Sequence, residues 1–241
     1  MRFSEKAERY EERAFVQADL AAWTAQWLDR LADLPGPALE VGAGTGLFTR
    51  HLVKGLAEVV ATDASEAMVL LGKEHVPGAS WSVHDAWAPR AGQWGGLFSS
   101  SLLQWCSDPV RTFSNWRELL LPGASMLHGF FLEGTLEELR SIDPGCLAVE
   151  FLPAKAWSAA LEEAGFEVLE AQVKQVSYDF PSALELFRFL HGIGATLGPR
   201  RIKPSALRRI IEECDRQRAS TQSGQVQSQW VFGRFQCVRK A

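Results

Sequence analysis

The sequence is poor in the side chains that bind metals or build disulfide frameworks. Its 241 residues include only four cysteines, none in C-x-x-C spacing, and five histidines, none in an H-E-x-x-H arrangement. These absences argue against a zinc site and against a disulfide-stabilised fold, and they predict reduced, mostly buried thiols. We therefore expect no bound metal.

Long apolar runs and a strong excess of one charge are also missing. No run reaches the roughly eighteen apolar residues of a membrane-spanning helix, and residues 1–13 are charged rather than signal-like. A net charge of −4 and a pI near 5.8, without an aromatic-basic strand motif, argue against nucleic-acid binding. The composition predicts a cytoplasmic globular protein with neither a membrane nor a nucleic-acid partner.

A glycine-rich turn follows the first apolar strand. Residues 38–46 read ALEVGAGTG, so glycine occupies alternate positions after an apolar strand that ends in an acid. Glycine permits positive φ and lets a ligand approach the main chain closely. In the dinucleotide fingerprint the third glycine comes one residue later and the helix N-terminus holds a pyrophosphate, so the spacing here favours a nucleotide cofactor without phosphate. The residues predicted to contact it are Glu40, Gly42, Ala43, Gly44 and Gly46.

An acidic residue follows the second predicted strand. Asp63 lies twenty-one residues beyond Gly42, at the end of the apolar run 57–62. A carboxylate at this position can accept hydrogen bonds from both ribose hydroxyls of an adenosine. The alternative is an ordinary tight turn in which Asp63 caps a helix that starts at Ser65. We add Ala64 and Met68 to the predicted cofactor residues.

Predicted strands and helices alternate along the chain. The apolar patterns predict strands at 38–41, 57–62, 79–83, 96–101, 124–131, 166–176 and 230–238. They predict helices at 4–34, 46–54, 65–74, 109–120, 154–164, 182–193 and 204–218. Such alternation predicts an α/β fold, a single domain over 1–241 with a doubly wound, mostly parallel seven-stranded sheet and an N-terminal helical cap over 1–34.

The segment 182–218 is an excursion before the last predicted strand. Inserted helices above the carboxyl ends of the strands would cover the crevice in which open α/β sheets bind ligands. We interpret the segment as a helical lid over the substrate. The alternative is a stabilising flange on the edge of the sheet.

The glycine turn and Asp63 resemble motif I and the ribose-binding acid of the class I S-adenosylmethionine-dependent methyltransferases. Shorter matches resemble, in the same order and over nearly the whole chain, the malonyl-acyl-carrier-protein O-methyltransferases of biotin synthesis. They are Phe3, Tyr10, Ala14, Gln17, Ser99, residues 103–106, 151–153 and 192–196, and Arg200. The resemblance implies S-adenosylmethionine as cofactor, S-adenosylhomocysteine as product, and methylation of the free carboxylate of a malonyl thioester, early in biotin biosynthesis.

That reaction needs no general base, because a malonyl carboxylate is ionised at pH 7. Catalysis then consists of placing the carboxylate oxygen in line with the methyl group and excluding water. By the resemblance, Arg200 would clamp the carboxylate, since its fork can bind two oxygens. Tyr10 and Gln104 would be its neutral partners, because too strong a clamp also stabilises the ground state.

The resemblance also implies contacts to the adenosine. Asp85, after the third strand, would accept from the adenine amino group, with Ala86 and Trp87 beside the ring. Trp105 would form an aromatic wall, because the face of an indole ring attracts a sulfonium cation. Ser101, at the end of the fourth strand, completes the predicted cofactor residues.

A malonyl group would arrive on an acidic carrier protein or on coenzyme A. Between residues 186 and 211 there is no Asp or Glu, and a basic patch is formed by Arg188, Arg200, Arg201, Lys203, Arg208 and Arg209. Such a patch can steer an acidic carrier to the protein. The alternative is a solvated helix face balanced by Glu212, Glu213 and Asp215.

Three positions depart from the pattern of the resembling enzymes. Gly95 and Gly96 stand where the fourth strand usually begins with an aromatic–acidic pair, and Glu150 stands where related enzymes can carry Arg. These departures could shift the acceptor. Two alternatives therefore stay open: a methyltransferase for another small carboxylate or a hydroxyl, and a non-catalytic binding or regulatory protein on the same fold.

Overall fold

The computed structural model describes residues 14–31, 33–89, 91–143, 145–147, 149–193, 204–219 and 224–240. Its strands are β1 (Ala38–Val41), β2 (Val59–Asp63), β3 (Ser80–Val83), β4 (Trp94–Ser100), β5 (Leu120–Phe131), β6 (Phe166–Phe180) and β7 (Val226–Arg239). Its helices are α1 (Phe15–Ala25), α2 (Thr49–Gly55), α3 (Glu66–His75), α4 (Pro109–Leu119), α5 (Glu137–Ile142), α6 (Ala154–Glu163), α7 (Ala183–Gly192) and α8 (Pro204–Ala219).

The strands form one seven-stranded sheet in the order β3-β2-β1-β4-β5-β7-β6. β1 pairs in parallel with β2 and β4, β2 with β3, and β4 with β5. β7 runs antiparallel to β5: the Leu132 amide donates to the Val231 carbonyl beyond the end of β5, and the Arg239 guanidinium donates to the Leu120 carbonyl at its start. The predicted doubly wound, mostly parallel sheet of seven strands is confirmed.

The centre of the sheet is buried on both faces. All four residues of β1 are buried, as expected for a parallel strand with helices on either side. Trp27, Phe48 and Phe98 form one core cluster with neighbouring aliphatic residues. This packing holds the carboxyl ends of β1, β2 and β4 in place, where the predicted site residues lie.

The N-terminal segment is less helical than its apolar spacing predicts. α1 ends at Ala25, a 3-10 turn covers Leu28–Arg30, and Leu31 is extended. The segment predicted as mainly helical up to residue 34 forms α1 and the 3-10 turn as far as Arg30, and beyond it Leu31 and Leu34 pack against the core without helical geometry. Residues 1–13 of the predicted cap lie outside the described residues.

Other boundaries of strands and helices also differ from the predicted ones. β4 begins at Trp94, two residues before its predicted start, and runs through the glycine pair that departs from the related enzymes. A Cβ on Gly95 would lie 2.3 Å from the nitrogen of Gly36, so this strand position needs glycine because another backbone segment passes against it. α2 begins at Thr49 rather than 46, β7 begins at Val226 rather than 230, and α5 was not predicted.

The chain divides into two compact units. The first comprises Met1–Phe130, Pro153–Val173 and Gly233–Ala241, and the second comprises Phe131–Leu152 and Lys174–Phe232. The second unit contains the predicted inserted segment, 182–218, and an aromatic cluster of Phe131, Phe180, Phe189 and Trp230. The role of that segment as a lid stays a prediction. Among the described helices, none combines the length and apolar character needed to cross a membrane.

Candidate active site

The three glycines of the turn after β1 all have positive φ, at 66° for Gly42, 58° for Gly44 and 95° for Gly46. Their surroundings differ. A Cβ on Gly42 would come within 2.7 Å of the Leu102 side chain, and one on Gly46 within 2.8 Å of Val76, whereas a Cβ on Gly44 would meet no atom within 4 Å. A ligand can therefore approach the main chain closely at Gly44. Gly46, in contrast, must be glycine because the Val76 side chain packs against the turn.

Asp63, at the end of β2, is joined to this turn. Its Oδ2 atom accepts from the Gly44 amide at 2.9 Å, and its Oδ1 atom accepts from the Ser65 amide at 2.9 Å. Each carboxylate oxygen has a second lone-pair direction, so two further hydroxyl donors can bind. The bond to Gly44 brings the turn and this acid together, and their joint role in binding a cofactor stays a prediction. The cap of the following helix α3 is Ser65, whose hydroxyl accepts from the Met68 amide, rather than Asp63 as in the alternative reading of the sequence.

A cavity of about 300 Å³ opens beside this pair. It is lined by Gln17, Glu40, Gly42, Ala43, Gly44, Thr45, Leu47, Phe48, Asp63, Ser65, Met68, Ser100, Ser101, Leu102 and Trp105. Eight of the thirteen predicted cofactor residues are among them. The other five, all within the described ranges, are not in this lining: Gly46, Ala64, Asp85, Ala86 and Trp87.

Glu40 contributes a buried carboxyl group to the cavity wall. Its side chain is 1 % exposed, and its Oε2 atom has no hydrogen-bond partner among the described residues. Burial raises the pKa of Glu40 to about 8; the nearby Thr49 hydroxyl lowers this pKa, and the charge of Asp63 raises it. In the unliganded protein at neutral pH, this group is therefore mostly a neutral acid.

Further polar atoms of the wall lack partners. Within the described chain, Gln17 Oε1, Ser100 Oγ and Ser101 Oγ are buried without a hydrogen bond. With the Glu40 carboxyl they form a wall rich in acceptors, which fits a ligand carrying N–H donors, such as an ammonium group. Gln17 on α1 was not predicted as a site residue, although it belongs to the motif matches; Thr45, Leu47, Phe48, Ser65, Ser100 and Leu102 were missed as well.

Ser101 adopts an uncommon backbone conformation at the cavity, with φ at 57°. Its amide donates to the Gly129 carbonyl at 2.8 Å, and its carbonyl accepts from the Gln104 side-chain amide at 2.7 Å. Positive φ at a non-glycine residue stores strain that neighbouring bonds must hold, a feature that concentrates at functional sites. Gln104 thus supports the cavity wall through Ser101, and its Oε1 atom is buried without a partner among described residues.

The other predicted site residues are placed differently. Asp85 is exposed and accepts from the Trp87 amide at 3.0 Å, while the Ala86 carbonyl accepts from the Trp116 indole at 2.9 Å. Trp105 lines the cavity and is 42 % exposed. Tyr10 and Arg200 lie outside the described residues, as do Arg201 and Lys203 of the basic patch. No cluster of three metal-ligating side chains occurs in the part of the chain that is described.

Comparisons with known proteins agree with this architecture. The methyltransferase domain family matches residues 11–171. The malonyl-[acyl-carrier protein] O-methyltransferase of Xylella fastidiosa is 32 % identical, over 80 % of this chain and 70 % of its own length. Its counterpart from Brevibacillus brevis is 27 % identical, over 88 % of this chain and 84 % of its own.

The fold also matches a solved structure. A putative methyltransferase from Bacillus halodurans superposes with a TM-score of 0.66 at 14 % identity, covering 90 % of this chain and 99 % of that one. The seven-stranded order, the glycine turn with its strand-end acid, and a family match over more than half of the sequence agree with one another. The chain therefore belongs to the class I S-adenosylmethionine-dependent methyltransferases.

Proposed function

We propose that this methyltransferase transfers a methyl group to the free carboxylate of a malonyl thioester. The observation that carries the proposal is how few ionisable side chains line the cavity. Among the described lining residues only Glu40 and Asp63 have ionisable side chains, and we assign both to the cofactor: Asp63 to its ribose and Glu40 to its ammonium group. A site without a spare general base suits a nucleophile that is already ionised at neutral pH, as a carboxylate is. Relatives that are named malonyl-[acyl-carrier protein] O-methyltransferases support the same choice.

The described residues fit the cofactor. Bound S-adenosylmethionine supplies an electrophilic methyl group on a sulfonium. Asp63 would accept from the two ribose hydroxyls, and Gly44 leaves the space for them because nothing lies within 4 Å of its missing Cβ. The acceptors of Gln17 and Glu40 would receive the ammonium group of the methionine portion. A cation there favours ionised Glu40, so binding below about pH 8 would release a proton.

The remaining wall would orient the acceptor. Trp105, which lines the cavity and is partly exposed, would contact the sulfonium through its indole ring. Gln104 has one N–H bonded to the Ser101 carbonyl and a second available for a carboxylate oxygen. Arg200 and Tyr10 remain proposed clamps, and Asp85 with its neighbours Ala86 and Trp87 remains the proposed adenine contact.

The carrier is proposed to dock on the basic patch. Of its described members, Arg188 pairs with Glu185 and Arg209 pairs with Asp143 at 3.3 Å. Arg208 is exposed and forms no ion pair with any described residue. Arg208 is therefore the best single position at which to test docking of an acidic carrier.

The test is a mass-spectrometric assay with malonyl carrier protein and S-adenosylmethionine. We expect a mass gain of one methylene on the malonyl group. The gain should disappear when the malonyl carboxyl is esterified beforehand, because the nucleophile is then blocked. Methylation of simple acids or alcohols, with no gain on malonyl thioesters, would replace this proposal by the alternative of another small-molecule acceptor.

A further inference from the structure

The edge strand β6 is long and open to solvent. It spans fifteen residues and lies at the end of the sheet order, so among the described strands only β7 is its neighbour. Residues 169–175 are all exposed, on both faces of the strand. An exposed edge of this length presents backbone N–H and C=O groups that can pair with another strand.

The charges of β6 select one way in which the strand can pair with itself. When two copies of an antiparallel strand are related by a two-fold axis perpendicular to the sheet, each residue lies opposite a residue of the partner on the same face of the sheet. The numbers of the two opposed residues then add up to the same even sum at every position of the pairing. The strand has a single cation, Lys174, and its acids are Glu167, Glu170 and Asp179. Only Glu170 shares a face with Lys174, so one symmetric register, centred on Gln172, places opposite charges opposite each other.

The same register also matches apolar residues. It places Val168 opposite the partner's Val176, and Ala171 opposite the partner's Val173. Leu169 and Val173, which are 53 % and 51 % exposed, lie diagonally across the two strands and would cover each other. Moving the centre by two residues instead puts Glu170 or Lys174 opposite its own copy, which is repulsive.

Neighbouring side chains already hold this surface in place. Glu170 accepts from the Arg30 guanidinium at 2.8 Å, and Gln172 accepts from Arg234 Nε at 3.1 Å. A carboxylate has lone pairs for more than one donor, so the bond to Arg30 leaves room for a lysine. Ordering these side chains beforehand lowers the entropy lost on association.

We propose that β6 pairs antiparallel with β6 of a second copy of this chain, centred on Gln172, and so joins two seven-stranded sheets into one continuous sheet. The dimer is isologous and contains two Glu170–Lys174 pairs that cross between the copies. This interaction surface is independent of the reaction proposed above, because none of its residues lines the active-site cavity.

The test measures the solution mass of the full-length chain by sedimentation over a dilution series. We expect the wild type to be a dimer of the 26.7 kDa chain. Lys174→Glu turns both ion pairs into like-charge pairs and should weaken dimerisation roughly tenfold or more. The double variant Glu170→Lys/Lys174→Glu should recover part of this loss, because both pairs between the copies form again while the pair with Arg30 is lost. Lys155→Glu, the same charge change at an exposed position of α6, should have no effect.

Hydrogen exchange gives a second readout that needs no variant. Amides of residues 168–176 should become more protected as the protein concentration rises, and those of the exposed part of β3 should not. A monomeric wild type would overturn the proposal, with Lys174 then acting to guard the edge against pairing. A dimer that Lys174→Glu leaves intact, or a double variant that dimerises no more tightly than Lys174→Glu alone, would overturn it too.

Discussion

The glycine turn after β1 and the basic patch around α7 and α8 were both singled out from sequence, yet they differ in what supports them. In the turn, backbone conformation, open space and the 2.9 Å bond between Gly44 and Asp63 converge on one cavity. In the patch, two of the three described arginines are paired with acids close by. Few sequences place glycines at positive φ beside an acid at a strand end by chance, so this combination indicates a binding site. Positive charge on an exposed helix occurs in many proteins and does not by itself indicate one function.

The largest expected effect concerns Glu40 and the pH dependence of stability. Its pKa is about 8 in the folded protein and near 4.5 when unfolded. Between these values the unfolded chain has lost a proton that the folded chain keeps, so the free energy of unfolding falls as pH rises. The contribution of Glu40 to the free energy of unfolding is fully present below pH 4.5 and is lost as pH rises through 8. The total loss is on the order of 5 kcal/mol.

Glu40→Gln should remove this contribution. Urea unfolding at pH 5 and at pH 8.5 is the measurement, and the quantity compared is the difference between the variant and the wild type, since other acids titrate in both. The variant should gain stability relative to the wild type at the higher pH. If the variant and the wild type differ in free energy of unfolding by the same amount at both pH values, the Glu40 carboxyl is ionised in the folded protein.

A pair of substitutions in the turn separates binding from packing. Gly46→Ala places a Cβ 2.8 Å from Val76 at φ 95° and should lower the free energy of unfolding by about 3 kcal/mol. Gly44→Ala places its methyl in open space and should cost only about 1 kcal/mol of stability while weakening cofactor binding. Thermal unfolding and calorimetric titration measure the two effects. Equal losses of stability would contradict the assignment of different roles.

Asp63→Ala tests the acid that joins the turn to the ligand. It removes the acceptor of the Gly44 amide and the proposed acceptor of the ribose hydroxyls, so affinity for S-adenosylmethionine should fall roughly 100-fold. Calorimetry measures the dissociation constant. Asp85→Ala, at an exposed acid outside the cavity lining, is the comparison, and a larger loss there would move the cofactor away from this wall.

The smallest effect is expected in the basic patch. Arg208→Glu should lower turnover of malonyl carrier protein roughly fivefold and leave malonyl-coenzyme A turnover unchanged, because a rim charge acts mainly on the rate of encounter. Arg216→Glu, on the same helix but paired with Glu213, is the matched control. An equal loss on both substrates would show that Arg208 does not serve docking.

The sequence predicted the parts of the site that depend on neighbours along the chain. The turn follows β1, Glu40 lies within β1 and Asp63 ends β2, and the apolar pattern of both strands is plain. The structure places Gly42, Gly44, Glu40 and Asp63 on one cavity. Gln17 and Leu102 were missed because they reach that cavity from α1 and from the segment after β4, and no local pattern signals such an approach. The helical segment predicted up to residue 34 ends at Arg30 for a related reason, since Leu31 and Leu34 pack on the core without helical geometry.

By itself, the sequence determined the order of strands and helices, the glycines that permit positive φ, and the acid at the end of β2, because each follows from local periodicity and conformational preference. Only the tertiary structure decided why each glycine is needed: open space at Gly44, the Val76 side chain at Gly46 and a neighbouring backbone at Gly95. It also decided the state of Glu40, since the pKa of a carboxyl depends on burial by residues distant in sequence.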